Sequence, residues 1–377
     1  MKLIRVKAVA NKEFIQILRD PRSLGLALSI PILLLLLFGY ALTLDVDRIP
    51  TALYDLDRTP QSRELADRFF RSGYFLLRAS APSLSHLQEM LDRGQALMGL
   101  VIPANFSRDL ESSRETVIQV LVDGTDANTA TIALGYAQSI ITIYSLEWIQ
   151  RKIHQLGVET LSPPIEARIR VWFNPDLESK NFIVPGLIAV IMVILAAILT
   201  SGTISREWER GTMEQLISTP LRGSELILGK LIPYFFIGMA DLALSVLMGR
   251  FLFGVPLRGS GLLLFSLAGL FLLGAITQGV VVSILAKNQL LSSQVSIFLS
   301  YLPTFILSGF IYPISNMPEI IQALTYIFPS RYVVTILKGI FSKGVGLEIL
   351  WGEACLLALY ASVMILFALR KFRKRMD

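Results

Sequence analysis

The chain alternates long apolar runs with shorter polar segments. Six runs are long enough to cross a bilayer, because about 20 helical residues span its hydrocarbon core. They lie at residues 24–44, 182–204, 226–250, 261–286, 290–312 and 347–369. We therefore predict six transmembrane helices, which we name span one to span six in chain order.

Between spans one and two the hydrophobic pattern becomes that of a domain folded in water. Over residues 45–180 its period switches between two and about 3.6, which indicates alternating strands and helices. The predicted strands are 51–54, 75–78, 97–102, 117–122 and a final one at 165–173. Helices are predicted after Thr59, Ser83 and Pro103, and a long helix from 128 to about 155. We expect an α/β domain inserted between two spans.

Two further segments are apolar without being full spans. In residues 1–22 the apolar side chains share one helical face, which predicts an amphipathic helix on the inner membrane surface, ended by Pro21. This face consists of Val6, Val9, Ala10, Phe14, Ile17 and Leu18. Residues 313–343 are interrupted by Pro318, Pro329 and Gly339. We expect two short helices that re-enter the outer leaflet, although a hairpin on the membrane surface has the same pattern.

Composition and charge predict the environment and the orientation. Hydrophobic residues make up 53% of the 377 residues and charged residues 17%, which is too apolar for a water-soluble chain. Basic residues cluster before span one, in the loop between spans two and three, and after span six, so both termini are predicted to be cytoplasmic. Residues 45–180 hold 14 basic and 18 acidic residues. We expect an inner-membrane protein, with 45–180 facing away from the cytoplasm and no nucleic-acid partner.

The sequence lacks the residue patterns of common catalytic sites. It contains no G-x-x-x-x-G-K-[ST] phosphate loop, no G-x-S-x-G nucleophile elbow and no glycine-rich dinucleotide motif. One cysteine, Cys355, cannot form a disulfide within the chain, and His86 and His154 lack the spacing of metal ligands. We therefore predict a protein that is not an enzyme and that binds no metal or cofactor itself.

The segment between spans two and three mixes charge with large apolar side chains. Residues 206–216 read R-E-W-E-R-G-T-M-E-Q-L. An apolar ridge is formed by Trp208, Met213, Leu216 and Ile217, and a charged rim by Glu207, Arg210 and Glu214. Such a surface suits docking against another protein, whereas an interfacial helix anchored in the membrane by its tryptophan has the same composition.

Four motifs give the chain a resemblance to a known family. They are residues 206–216 with Thr219-Pro220 nearby, N-F-I-V-P-G at 181–186, L-S-G-F-I-Y-P at 307–313 and F-P-S-R-Y-V-V at 328–334. Their order and their positions relative to the spans resemble the permease subunit of ABC-2 type exporters. The resemblance covers nearly the whole chain and is greatest to bacterial multidrug-efflux permeases with a large periplasmic insertion.

The resemblance implies a mechanism and its partners. Residues 206–217 would include a coupling helix that docks on separate ATPase subunits, which would hold the ATP and magnesium. The implied coupling residues are Glu207, Trp208, Arg210, Gly211, Thr212, Met213, Glu214 and Leu216. The path for a hydrophobic or amphipathic substrate, drug-like or lipid-like, would run along spans two and five between two permease copies or this chain and a sister permease. The inserted domain could guide cargo onward, recruit a periplasmic adaptor protein or close the outer exit.

Bend-forming and polar residues within the spans are candidates for a gate or pathway. They are Pro185, Gly186, Gln294, Ser300, Pro303 and Gly309. Proline and glycine permit bends and close helix contacts, but they are also common in membrane helices without a gate. The serines of span five could line a path or bond neighbouring helices. Asp241, an acid deep in span three, is a candidate for proton coupling, with pairing to a polar neighbour as the alternative.

A second functional class stays open from sequence. A self-contained secondary transporter, or a membrane-anchored sensor with a ligand-binding ectodomain, would have a similar arrangement of spans. We find no clear inverted repeat and no cluster of intramembrane charges, which secondary transporters commonly have. A separate ATPase that binds residues 206–217 would distinguish the exporter permease from both alternatives.

Overall fold

The computed structural model describes residues 2–41, 48–112, 114–155, 172–174 and 178–372, without the side chains of residues 22–24, 26, 27 and 41. The chain forms two compact units. The membrane unit comprises Met1–Thr43 and Arg170–Asp377, and the inserted unit comprises Leu44–Ile169. The strand predicted at 165–173 falls almost entirely outside the described residues.

The secondary structure is mainly helical, with strands only in the inserted unit as far as it is described. The elements of the first part of the chain are α1 (Leu3–Leu18), α2 (Pro21–Ala41), β1 (Ile49–Asp55), α3 (Pro60–Arg71), β2 (Phe75–Ser80), α4 (Leu84–Asp92), β3 (Met98–Ile102), α5 (Phe106–Glu111), β4 (Gln119–Val122) and α6 (Ala127–Gln155). Those of the second part are α7 (Lys180–Ser201), α8 (Ser205–Glu209), α9 (Thr212–Ser218), α10 (Gly223–Leu247), α11 (Gly261–Ala286), α12 (Gln289–Leu307), α13 (Glu319–Thr325), α14 (Pro329–Lys338) and α15 (Leu347–Lys371).

Five helices in the described part of the chain are long and apolar enough to cross a membrane. They are α7, α10, α11, α12 and α15, and they coincide with predicted spans two to six. The predicted span one corresponds to α2, in which the apolar stretch with described side chains is Leu28–Tyr40. The structure thus supports a polytopic protein of about five or six apolar spans, and the count of six stays a prediction.

The apolar segment before span six forms two short helices, as its proline and glycine pattern predicts. Helices α13 and α14, the latter extended to Lys343 by a π-helical turn, meet at an angle of 87°. Pro329 is the first residue of α14, where its missing N–H costs no helical hydrogen bond. The bend fits either a broken span or a re-entrant loop.

Helix α7 forms the centre of the membrane unit. Nearly all its side chains are buried, and it contacts α2, α10, α11, α12 and α14. The serines of span five contribute to this packing, since Ser292 Oγ donates a hydrogen bond of 2.5 Å to the carbonyl of Ser201 at the end of α7. Ser292 therefore bonds a neighbouring helix, which is one of the two roles considered above for the serines of span five.

The inserted unit contains a four-stranded sheet in the order β2-β1-β3-β4. Strand β1 is parallel to β2 and β3, and β4 is antiparallel to β3. Because side chains alternate across a strand, Leu100 packs with α3, α5 and α6 while its neighbour Val101 packs with α4 on the other face. Thr59 caps α3 as predicted, its hydroxyl accepting a bond from the Ser62 amide at 3.3 Å.

Candidate functional site

The polar segment between α7 and α10 folds as two short helices joined by a sharp turn. Gly211 separates α8 from α9 with φ of +69°, a left-handed conformation that glycine adopts without steric cost. The hydroxyl of Thr212 spans the break, because it donates to the Glu207 carboxylate. The segment 206–217, expected to contain a coupling helix, therefore consists of two short helices joined by a turn that a side-chain bond bridges.

The apolar ridge of this segment faces the protein's own core. Met213 is 1% exposed and belongs to the core of the membrane unit. Trp208, Leu216 and Ile217 are partly buried against the same core. The Lys287 ammonium lies 5.2 Å from the centre of the Trp208 ring, a cation–π contact. These side chains anchor α8 and α9 to the chain, so the surface left for another protein is the polar side.

The exposed side of the segment is polar and compact, and we name it the docking face. It consists of Glu209, Arg210, Gly211, Glu214, Gln215 and Ser218. Arg210, Gly211 and Glu214 were expected there from sequence, whereas Glu207 is 6% exposed and lies inside. Glu209 also fixes the start of α12, since its carboxylate accepts a bond of 2.8 Å from the Gln289 amide.

Beneath the docking face lies an ionic cluster of two lysines and two glutamates, all buried except the half-exposed Lys12. Lys230 of α10, 1% exposed, donates from Nζ to Glu13 Oε1 at 2.5 Å and lies 3.3 Å from Glu207 Oε1. Its third bond goes to the Thr203 carbonyl at 3.1 Å. Lys12 adds a bond of 2.8 Å to Glu207. The charges of the cluster cancel, and three segments of the chain meet in it.

A second ionic contact fixes the beginning of α1. The Glu225 carboxylate accepts bonds from its own helix, through the Arg222 amide at 3.0 Å, and from the Lys2 amide at 2.7 Å. Arg5 Nη1 lies 3.6 Å from the same carboxylate and donates to the Pro220 carbonyl at 2.5 Å. Helix α1 is therefore bonded to α10 at its beginning and again at Glu13.

Sequence reasoning missed the two central members of the cluster. The sequence patterns described above point to neither Lys230 nor Glu13. The signal was present in α1, where Val6, Val9, Glu13 and Ile17 form the buried face at helical spacing. An acid at a core-facing position demands a buried partner, but the sequence does not indicate which lysine supplies it. Phe14, on the predicted apolar face, does not belong to this buried set and is 45% exposed in the single chain.

Three of the gate candidates meet at the other end of α7. A Cβ atom on Gly186 would lie 2.5 Å from the Phe310 ring, so only glycine permits this contact between α7 and the segment after α12. Lys338 of α14 donates a bond of 2.7 Å to the Gly309 carbonyl, and its ammonium lies 3.2 Å from the centre of the Phe182 ring. Pro185 is buried in the same turn of α7 as Gly186. We call this group the α14 junction.

The remaining candidates within the spans lie apart from this junction. Gln294 is exposed on α12, Pro303 is half-buried, and Ser300 accepts a bond of 3.2 Å from Gln278 of α11. Asp241 is 2% exposed, and neither of its carboxylate oxygens has a hydrogen-bond partner in the described part of the structure. The polar neighbour that the sequence suggested for Asp241 is thus not found among the described residues.

Comparisons with known proteins bear on the whole chain. Residues 21–370 match the family model described as ABC-2 family transporter protein. The chain is 39% identical to the probable multidrug ABC transporter permease YbhS of Escherichia coli K12, over 90% of this chain and 89% of that protein. It is 31% identical to the probable multidrug ABC transporter permease YbhR of the same strain, over 93% of each chain. Identity to the inner membrane transport permease YhhJ, also of that strain, is 28%.

Proposed function

The chain belongs to the ABC-2 family of transporter proteins, and from this premise we propose that it is the permease subunit of an ATP-driven exporter. The observation that carries the proposal is the polar docking face, whose inner side is bonded to α1 and α10 through the ionic cluster. A rigidly held polar surface of this kind suits a soluble partner that pushes on it. Because the sequence has no phosphate loop, ATP and magnesium would bind to that partner.

The docking face would contact the ATPase through both positively and negatively charged side chains. Arg210 and Glu214 are exposed on either side of the Gly211 turn, so they can pair with opposite charges on the partner. Pairs at the rim of an interface set orientation and association rate more than affinity. We expect that the turn itself enters a groove of the ATPase.

The ionic cluster would carry movement from the docking face into the membrane unit. A push on α9 displaces Glu207, because Thr212 bonds to its carboxylate across the break. Glu207 shares Lys230 with Glu13, so the displacement reaches α10 and α1 together. Separating a buried ion pair exposes uncompensated charge in a medium of low dielectric. The cluster therefore behaves as a stiff joint between the three segments.

The cargo path would involve a second permease. Helix α12 presents Gln294, Phe298 and Leu302 on its outer side, and these side chains are exposed in the single chain. We propose that a second copy or a sister permease covers this side and that cargo passes between the two. The cargo would be hydrophobic or amphipathic, since the relatives named above are described as probable multidrug permeases. The α14 junction would restrict the path at one end of α7.

The membrane arrangement follows from the charge distribution. We infer six spans with α2 as the first, both termini in the cytoplasm and the inserted unit in the periplasm of a bacterial inner membrane. The inserted unit carries more acidic than basic residues, whereas positive charge is concentrated in the termini and in the loop of the docking face. A periplasmic adaptor protein would then find the inserted unit accessible.

The decisive experiment is copurification of an ATPase from native membranes. The intact chain should retain an ATPase subunit in a mild detergent, and the Arg210→Ala/Glu214→Ala variant should lose most of it, because both charges are exposed and neither supports the core. Glu207 is left unchanged, since its substitution would disturb the ionic cluster as well. The matched control is Asp67→Ala/Arg71→Ala, an exposed pair of the same charges in the inserted unit.

The outcome separates the two functional classes. Loss of the ATPase from the docking-face variant alone supports a permease that couples through α8 and α9. Recovery of no ATPase with the intact chain, with nucleotide present, would contradict the proposal and favour a secondary transporter or a sensor. Equal loss in both variants would contradict the location of the docking face.

A further inference from the structure

A cavity of about 520 Å³ lies within the membrane unit between α11, α12, α14 and α15. Its size is in the range of pockets that hold small organic ligands. Among the described residues that line it, none carries a charge, and most are aliphatic or aromatic. All the residues that line it belong to this one chain.

One wall of the cavity carries three polar side chains joined by hydrogen bonds. Tyr360 of α15 donates to Gln278 Oε1 at 2.6 Å, and Gln278 Nε2 donates to Ser300 Oγ at 3.2 Å. The ring of Tyr360 packs directly on Gly274, where a Cβ atom would overlap it. The chain therefore brings three helices together to hold a neutral polar group in an otherwise apolar wall.

The three side chains keep unused hydrogen-bonding capacity. An amide group has two hydrogens, and Gln278 uses one of them within the described structure. Among the described residues the Ser300 hydroxyl accepts from Gln278 and donates to none, and the Tyr360 oxygen donates and accepts from none, so both can still bond a ligand. Burying such groups costs free energy unless they are bonded, so a polar ligand atom placed beside them is favoured.

The mouth of the cavity is apolar. Leu285 and Leu291, at the facing ends of α11 and α12, are 58% and 49% exposed and line it. Leu285 and Leu291 flank the turn at Lys287 and Asn288, so a ligand would enter near the ends of these apolar spans. The described residues that line the cavity offer no counter-ion to a charged molecule, which disfavours its binding.

We propose that this cavity binds an uncharged amphiphile, with its hydroxyl, carbonyl or amide group on Gln278, Ser300 and Tyr360 and its hydrocarbon part along the apolar walls. This inference rests on the proposed function only where it treats the bound molecule as cargo. Binding itself is measured on the isolated chain without any ATPase. Failure of binding and failure of ATPase docking are therefore separate results.

The test is photolabelling of the full chain in lipid nanodiscs with a photoreactive octanol, in which a diazirine replaces one methylene group. Mass spectrometry should locate adducts on the facing sides of α11, α12 and α15. Excess octanol should remove them, whereas octanoate, with the same chain length and a negative charge, should compete at least about tenfold less well. This comparison uses the unaltered chain and does not depend on the folding of a variant.

Two variants then locate the ligand. Tyr360→Phe keeps the ring and removes the hydroxyl, so labelling should fall about fivefold, the loss expected for one hydrogen bond. Ala275→Leu fills part of the cavity and should lower the labelling further. The control Ser266→Ala, on an exposed side of α11, should leave labelling unchanged. Adducts spread over all exposed helices, equal competition by octanoate, or labelling unaffected by both variants would overturn the proposal.

Discussion

Lys230 keeps a charged side chain almost fully buried at the point where α1, α10 and the segment before α8 meet. Its ammonium has three hydrogens, and three oxygens accept them: one from Glu13, one from Glu207 and the carbonyl of Thr203. This complete set of partners offsets the cost of desolvation that a buried charge carries. Removing any single member would leave an uncompensated charge behind.

We predict that Lys230→Met destabilises the membrane unit by roughly 3–5 kcal/mol, the range measured when one partner of a buried ion pair is removed. Two glutamates would then share Lys12 alone, which is half-exposed. The double variant Glu13→Gln/Lys230→Met should recover at least about 1 kcal/mol, because it removes the orphaned charge together with its partner. Unfolding in mixed detergent micelles measures both values.

The control for this prediction is Lys7→Met, which removes an exposed lysine from the same helix as Glu13. It should change the free energy of unfolding by less than about 0.5 kcal/mol. If Lys230→Met behaved like the control, the buried cluster would not contribute to stability. If the double variant were less stable than Lys230→Met, Glu13 would have a role other than pairing with Lys230.

The docking face and the ionic cluster differ in how far the sequence predicts them. Arg210 and Glu214 are exposed, as polar residues between the apolar positions of a short segment are expected to be. The pairing of Lys230 with Glu13 joins positions 217 residues apart. No local pattern encodes such a contact, since it arises only when α1 packs on α10.

At the scale of elements, the contact between α1 and α10 depends on one small residue. A Cβ atom on Gly229 would lie 2.6 Å from the Cβ atom of Val9 and 3.1 Å from the Val6 carbonyl, closer than real side chains approach. Glycine therefore allows the two helices to lie close enough for the ionic contacts of Arg5 and Glu13 with α10. A larger side chain would push α1 away.

We predict that Gly229→Leu loosens α1 and increases hydrogen exchange of its amides roughly tenfold to a hundredfold. An overpacked contact costs about 1–3 kcal/mol, and each 1.4 kcal/mol changes an opening equilibrium tenfold. Exchange of residues 3–18 followed by mass spectrometry measures the effect. Gly352→Leu in α15 is the matched control, because open space surrounds that glycine. Unchanged exchange in α1 would show that the helix is not held by this packing.

The sequence predicts that a helix exists wherever the apolar run is long. The boundaries of α11 agree with the predicted 261–286, because its apolar run is bounded by Ser260 as N-cap and by Lys287. The segment 206–217 was predicted as one helix, and the structure divides it at Gly211. The composition favours helix on both sides, Gly211 permits the turn, and Met213 and Trp208 pack on the core of the membrane unit. The strand order β2-β1-β3-β4 likewise depends on non-local pairing.

At the scale of the whole molecule, the charge distribution agrees with the chemistry of the candidate site. The loop between α7 and α10 carries the docking face and is rich in arginine, as cytoplasmic loops are. The inserted unit has a core of its own and an excess of acidic residues. An ATPase requires the docking face to be in the cytoplasm, so function and orientation make one combined prediction.

We predict that labelling by a membrane-impermeant maleimide distinguishes the two sides of the protein. In a Cys355→Ser background, Ser85→Cys in the inserted unit and Ser315→Cys before α13 should react in cells whose outer membrane alone is permeable. Ser218→Cys on the docking face and Lys7→Cys on α1 should react only after the inner membrane is broken, because six spans leave both inside. All four substituted side chains are exposed, so access depends on the membrane and not on burial. Reaction of Ser218→Cys in unbroken cells would contradict the orientation and with it the docking of a cytoplasmic ATPase. Reaction of Lys7→Cys alone would contradict the assignment of α2 as a span and the ionic contacts between α1 and the docking segment.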